Sequence, residues 1–191
     1  MAQEQPARLY VASRDGQALR IGERIAQHCA EAGRPLTLQR LGDTPPPADE
    51  FAQAPLVGLV AAVRYGKHLA EAEAFLAVYR NLPTPPPLAL ASVNLTARKP
   101  GKDTGATNPY ITKWIARQAL SPVATAAFAG RLDYPRYRWF DRQIIRFIML
   151  LTGGPTDGTS TVEYTSWPAV DAFAAELLTR LPADEATRAP T

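Results

Sequence analysis

The sequence predicts an α/β domain with a doubly wound parallel sheet and helices on both faces. Three observations carry that prediction. Short β-rich runs alternate with longer segments of helical period. Two of the runs, Leu56–Val63 and Leu88–Val93, are apolar without alternation, as strands buried on both faces require. Turn and stop residues such as Gly33 and the Pro-rich stretches separate the elements.

In chain order, Arg8–Ser13 reads as a strand and Ser13–Gln17 as the turn that leaves it. Ala18–Ala32 reads as a helix, because Ile21, Ile25, Ala26 and Cys29 recur at helical spacing and Gly33 stops it. Leu36–Leu41 alternates as a strand does. Gly42–Pro55 is a Pro/Asp loop with one helical turn at Ala48–Gln53. Leu56–Val63 is a buried strand, Arg64–His68 a loop, Leu69–Tyr79 a helix and Leu88–Val93 a second buried strand. A polar loop, Asn94–Pro109, leads to a helix at Tyr110–Ala119 and a strand at Val123–Gly130. An insert follows over 131–160, then a short strand at Thr161–Thr165. The last helix starts at Ser166-Trp167-Pro168, with Ser166 or a neighbour as cap and Pro168 in the first turn. Residues 1–7 and 182–191 read as disordered tails around a single 8–181 domain. Five strands with right-handed crossovers give the flavodoxin-like order 2-1-3-4-5.

Composition narrows the function classes. Of the 191 residues 46% are hydrophobic, enough for a sizeable core, and the net charge of +3 is too mild to imply nucleic acid. Basic charge concentrates in Arg131–Arg146, with five Arg against two Asp. A single cysteine, Cys29, excludes an internal disulfide and a Cys-cluster metal site. No His/Asp/Glu spacing points to a metal. Met1–Ala7 lacks the apolar core of a signal peptide, and no run of about 18 apolar residues predicts a membrane span.

In a sheet of this order ligands sit beyond the carboxyl ends of the strands, where three loops meet. The first, Ser13, Arg14, Asp15, Gly16, Gln17 and Ala18, joins a strand to a helix start. Its hydroxyl, glycine and free N–H groups form a phosphate cradle, to which Arg14 adds charge. Asp15 would repel a phosphate, so its carboxylate has to point away or cap the helix. The same residues also serve as a plain turn; the Gly-Lys-Ser/Thr ending of a Walker loop and the three-glycine dinucleotide fingerprint are both missing. The second loop, Arg64, Tyr65 and Gly66, offers a cation, an aromatic that can stack and a glycine that admits a flat ring, or else a surface turn. In the third, Val93, Asn94, Leu95 and Thr96, the Asn94 amide can read a heterocycle edge. His68 is expected as a solvated histidine at a helix start rather than a proton donor.

These loops and the insert carry a specific resemblance. SRDGQ at Ser13–Gln17, RYG at Arg64–Gly66, SVNL and ARKP within Ser92–Pro100, YPRYRW at Tyr134–Trp139, GG-x-TD at Gly153–Asp157 and YT-x-W at Tyr164–Trp167 follow one another in this order. Together they resemble the menaquinone-dependent protoporphyrinogen IX dehydrogenases, flavodoxin-like FMN enzymes of haem biosynthesis. The resemblance runs from about Arg8 to Leu178. It implies FMN phosphate on Ser13–Ala18 and the isoalloxazine between Arg64–Gly66 and Val93–Thr96. It also implies a long insertion that splits the last strand into Val123–Gly130 and Thr161–Thr165. The implied partners are protoporphyrinogen IX and a membrane quinone, menaquinone or ubiquinone, with no nucleic acid. An Arg-rich rim of Arg131, Arg136, Arg138 and Arg142 suits the propionates. No catalytic acid or base is identified. The chain departs from the family at Ala12 and Ala18, where hydroxyl residues are usual; a lost bond to a charged phosphate costs about 1.5–3 kcal/mol, which predicts weaker FMN retention. A flavodoxin-like electron carrier and an FMN-dependent NAD(P)H:quinone reductase are the competing readings.

Tyr134–Gly154 is the most apolar and among the most Arg-dense stretches of the chain. Wound as a helix, Trp139–Leu151 carries an apolar arc of roughly 200° with Arg138, Arg142 and Arg146 along one border. A helix on the surface of a soluble domain needs only about half that arc. The excess suits a helix lying in a lipid headgroup layer; with the resemblance to a quinone-linked family, it implies a peripheral protein on the cytoplasmic face of the inner membrane. Packing against a second subunit of a homo-oligomer is the alternative.

Overall fold

The computed structural model describes residues 5–133, 150, 157, 159 and 161–181. In chain order its elements are β1 (Arg8–Ala12), α1 (Gln17–Glu31), β2 (Thr37–Arg40), β3 (Val57–Arg64), β4 (Lys67–His68), α2 (Ala70–Arg80), β5 (Leu88–Val93), α3 (Pro109–Gln118), β6 (Ala124–Phe128), β7 (Arg131–Asp133), β8 (Thr161–Glu163) and α4 (Trp167–Arg180). Single 3-10 turns lie at Ala48–Glu50 and Leu95–Arg98. The tail at 182–191, residues 1–4 and the expected helix Trp139–Leu151, apart from Leu150, lie outside the described residues, as do Arg136, Arg138 and Arg142.

The main sheet runs β2-β1-β3-β5-β6, all parallel, with the two-residue β4 folded back on β3. Setting that small hairpin aside, the order is the 2-1-3-4-5 the sequence predicts. Strand alternation divides the core into two layers. Tyr10 and Leu59 point into one layer with Phe75 of α2 and Trp114 of α3, whereas Leu9, Val11 and Val60 point into the other with Ile21 and Ile25 of α1 and Phe173 of α4. Side chains of this size contribute about 1.5–3 kcal/mol each when fully buried. Arg24 of α1 forks onto the Asp171 carboxylate of α4 at 2.7 and 2.8 Å, fixing the two helices side by side.

The last strand departs from expectation in one respect. Thr161–Glu163 does not rejoin the main sheet; it pairs antiparallel with Arg131–Asp133 as a separate ribbon. The physical reason lies in residues 131–133, which read as part of the insert but have Leu132 fully buried against Leu95, Val162 and Tyr164. The ribbon is therefore a stalk standing on the third loop, and residues 134–160 follow its first strand and precede its second in the sequence.

Candidate functional site

The parallel register brings the ends of β1, β3 and β5 to one edge of the sheet, and the three predicted loops leave it side by side. The first loop turns through Gly16, whose φ of 90° lies in the left-handed region that glycine tolerates, and opens directly into α1. Among α1 to α4, only α1 has neither a side-chain cap from its own N-cap residue, Gly16, nor an acidic residue in its first turn. Asn108 caps α3 and Ser166 caps α4. The positive end of the α1 dipole is thus left for an external anion, which fits a phosphate. Ala12 and Ala18 are buried and offer no hydroxyl there. The buried Ser13 hydroxyl accepts from the Leu19 N–H at 3.3 Å, which leaves its own proton to donate.

Asp15 does not cap the helix. Its carboxylate lies 3.6 Å from the Arg64 guanidinium, so the acidic residue is turned toward the second loop and away from the cradle. The pair is exposed enough to orient both loops more than it stabilises them. Gln17 contributes its backbone to the cradle but not its amide, which reaches across to Glu163 and Thr165. Arg40, at the end of β2, donates to the Ser13 carbonyl at 2.8 Å. It is a cation beside the first loop that sequence reasoning missed, since nothing local in Thr37–Arg40 marks it.

The second loop is a two-residue hairpin rather than the open loop expected. Tyr65 and Gly66 both have positive φ, 51° and 76°, the geometry of a type I′ turn between β3 and β4. Tyr65 is 60% exposed, and the Arg64 guanidinium stands 5.3 Å from its ring centroid. A tyrosine held in a left-handed conformation with its ring presented outward fits a stacking role bought with backbone strain. Tyr65→Gly is expected to stabilise the protein by roughly 0.5–1 kcal/mol, because φ near +50° suits glycine. The same variant is expected to weaken FMN binding about three- to tenfold through loss of ring stacking. Thermal unfolding and flavin-fluorescence titration read the two opposite signs.

In the third loop the Asn94 side chain points inward, so its amide does not read a heterocycle edge. Its Oδ1 accepts from Ala97 N–H and Asn108 Nδ2, and its Nδ2 donates to Ser92 Oγ and Asn108 Oδ1. Those four bonds exhaust the amide's capacity. Asn108 is used as fully: it also caps α3 at Tyr110 N–H and donates to the Lys102 carbonyl. This reciprocal amide pair closes the loop from β5 to α3 and leaves the backbone of Val93–Thr96 as the part that can border a ring. His68 is likewise not solvated. It is buried, stacked on Trp114 at 3.7 Å between centroids, and 2.9 Å from Ser92 Oγ. Burial, with Arg117 adding to it, lowers its pKa to about 3, so it is a neutral imidazole sharing a hydrogen bond with the Ser92 hydroxyl.

Of the proposed rim, Arg131 is described and half-buried at the base of the stalk. Arg98 stacks over Tyr164 with 5.7 Å to the ring centroid. No group of three or more His, Cys, Asp or Glu that could hold a metal occurs among the described residues, nor any helix long and apolar enough to cross a membrane.

The model of the Flavodoxin domain family matches residues 9–159. Among curated proteins, the chain is 36% identical to the protoporphyrinogen IX dehydrogenase [quinone] of Escherichia coli strain K12 over 165 residues, which is 86% of this chain and 90% of that protein. The chain belongs to the protoporphyrinogen IX dehydrogenase (quinone) family. It is also 44% identical over 118 residues to the Leishmania major protein of the same name, covering 62% of this chain and 51% of that longer one. Among solved structures, oxidised flavodoxin 1 of Bacillus cereus superposes with a TM-score of 0.56 at 13% identity, covering 93% of this chain and 99% of that one. A Streptococcus flavodoxin superposes at 0.55 and 12%, covering 92% and 99%. These two speak to the fold alone. Family membership makes the protein an oxidoreductase and FMN its cofactor. The start of α1 without an acidic residue, the Gly16 turn and the outward Tyr65 fit that cofactor in the loops the sequence singles out.

Proposed function

We propose that the protein oxidises protoporphyrinogen IX to protoporphyrin IX at FMN and passes the electrons to a membrane quinone, menaquinone or ubiquinone, in haem biosynthesis. The supporting observation is the charge of the three candidate loops, which leave β1, β3 and β5 at the carboxyl edge of the sheet. Arg14, Arg64, Lys67, Arg98, Lys99 and Lys102 stand on them against Asp15 and Asp103, and Asp15 is already paired with Arg64. An electron carrier that docks basic partners needs the opposite sign there. A dianionic porphyrinogen suits a cationic rim, which Arg131, Arg136, Arg138 and Arg142 extend along the chain.

The residues divide the work. Backbone N–H groups at Gln17 and Ala18, the Ser13 hydroxyl and Arg14 bind the phosphate. Tyr65, Gly66 and the Val93–Thr96 backbone border the ring. Asn94 and Asn108 hold that border in place, and neutral His68 keeps Ser92 oriented beneath it. FMN, when bound, supplies the repeated two-electron acceptance that the oxidation needs. Anaerobic mixing tests the two halves separately. Protoporphyrinogen IX is expected to bleach the visible absorbance of the FMN-loaded protein, and menaquinone to restore it. Bleaching by NAD(P)H but not by protoporphyrinogen IX would favour the reductase; bleaching by neither, a carrier.

The apolar arc and Arg border of Tyr134–Gly154 support a peripheral site on the cytoplasmic face of the inner membrane, where a quinone is reachable. Wild type is expected to float with anionic liposomes, and Arg142→Glu with Ile148→Asp to abolish flotation. A wild type that stays at the bottom of the gradient and sediments as a dimer would assign the arc to a second subunit.

A further inference from the structure

Two stretches far apart in the chain meet at Gln17. It is the first residue of α1, and its backbone belongs to the cradle that receives the phosphate. Its Nε2 donates to Thr165 Oγ1 at 2.8 Å and to Glu163 Oε1 at 3.2 Å, while its Oε1 accepts from Arg20 Nη1 at 3.0 Å. Arg20 closes the ring onto Glu163 Oε2 at 3.1 Å and stands 5.3 Å from the centroid of Trp167. Thr165 Oγ1 in turn donates to the Ala129 carbonyl at the end of β6. Partial burial alone would raise the Glu163 carboxyl; hydrogen bonds from Arg20 and Gln17 outweigh it and hold the group below the usual range.

This cluster is more than one surface ion pair. The β7–β8 ribbon shares no strand pairing with the main sheet. Other ties among the described residues include the Leu132 packing, the Tyr164 N–H to the Gly130 carbonyl and the Arg98–Tyr164 stack. The Gln17 amide is a direct link between the stalk and the domain, and it is made from inside the phosphate loop. Any ligand that orders the first turn of α1 also lowers the cost of docking the ribbon, and the reverse follows by thermodynamic linkage.

We propose that Gln17 and Thr165 are positioning residues: their hydrogen bond couples FMN phosphate binding to the docking of the β7–β8 stalk that carries the inserted segment. The inference rests on FMN phosphate occupying the Ser13–Ala18 loop. It accounts for SRDGQ and YT-x-W occurring together, because Gln17 of one motif meets Thr165 of the other and Arg20 carries the contact on to Trp167.

The test uses the full chain as wild type, Gln17→Leu, Thr165→Val, Thr165→Ser and the Gln17→Leu/Thr165→Val double variant. FMN affinity is read by flavin fluorescence, and amide hydrogen exchange at 161–165 is read with and without FMN. In wild type, FMN is expected to slow exchange at 161–165. Gln17→Leu and Thr165→Val should each weaken FMN about tenfold and remove that protection, with the double variant no weaker than either single one. Thr165→Ser, which keeps the hydroxyl, should behave as wild type. Unchanged exchange in FMN-loaded wild type would overturn the coupling while leaving the cofactor placement intact. So would single variants that bind FMN as tightly as wild type. A wild type that does not bind FMN would overturn both.

Discussion

Replacing Asn108 by alanine is expected to lower the unfolding free energy by about 3–5 kcal/mol. The side chain is fully buried and makes four hydrogen bonds: two with Asn94, one as the cap of α3 and one to the Lys102 carbonyl. Alanine strands the buried Asn94 amide and the Lys102 carbonyl and uncaps the helix at once. Because each single variant strands the amide of the other residue, Asn94→Ala combined with Asn108→Ala should cost clearly less than the sum of the two. Urea denaturation of the three variants measures both effects. A loss below about 1 kcal/mol for Asn108→Ala would mean that water replaces the pair and that the loop is held by something else. The functional corollary is a weaker FMN complex in every one of these variants, since the amide pair holds the loop whose backbone is proposed to border the ring.

Stability is expected to fall by about 2 kcal/mol between pH 7 and pH 5 on account of His68 alone. Its pKa is about 3 in the folded protein against 6.5 for the free side chain, with burial as the main cause. Between those values the unfolded chain binds a proton that the folded one does not. The contribution is therefore complete above the unfolded pKa and is lost as pH falls toward 3, at about 1.4 kcal/mol per unit in the steep part. The window from pH 7 to 5 lies above the carboxylate range, which separates His68 from Glu163 and Asp171, whose pKa values are lowered. His68→Gln should flatten the profile in that window while costing stability at pH 7 through the lost stack on Trp114. An unchanged slope in that variant would assign the acid sensitivity elsewhere.

The parts of the molecule that were legible in the sequence are those governed by local pattern. Leu88–Val93 is a strand with the bounds its apolar run predicts, and Ile21, Ile25 and Cys29 form the buried stripe of α1. The Pro168 and Ser166 signals place the start of α4. What was not legible depends on partners distant in the chain. His68 reads as a surface residue because Trp114, which covers it, lies on a different helix. Asn94 reads as a ligand-facing amide because its partner Asn108 is fourteen positions away. The hairpin at Arg64–Lys67 escapes notice because tyrosine is not a residue that propensity places at positive φ. The stalk is the largest such case: Arg131–Asp133 and Thr161–Glu163 find each other only across the whole inserted segment. The three candidate loops do leave one edge of the sheet side by side, because a doubly wound sheet fixes where strand ends must go. That the side-chain amides of Gln17 and Asn94 are engaged within the protein was not legible, because long-range hydrogen bonds decide it.

The most direct test of the account is sustained turnover. FMN-loaded protein is incubated anaerobically with protoporphyrinogen IX, with and without menaquinone, and protoporphyrin fluorescence is followed. The account predicts porphyrin in amounts many times the bound flavin when menaquinone is present. Without it, formation should stop once the flavin is reduced. Porphyrin formation that is indifferent to quinone, or absent with both substrates and flavin in place, would contradict it.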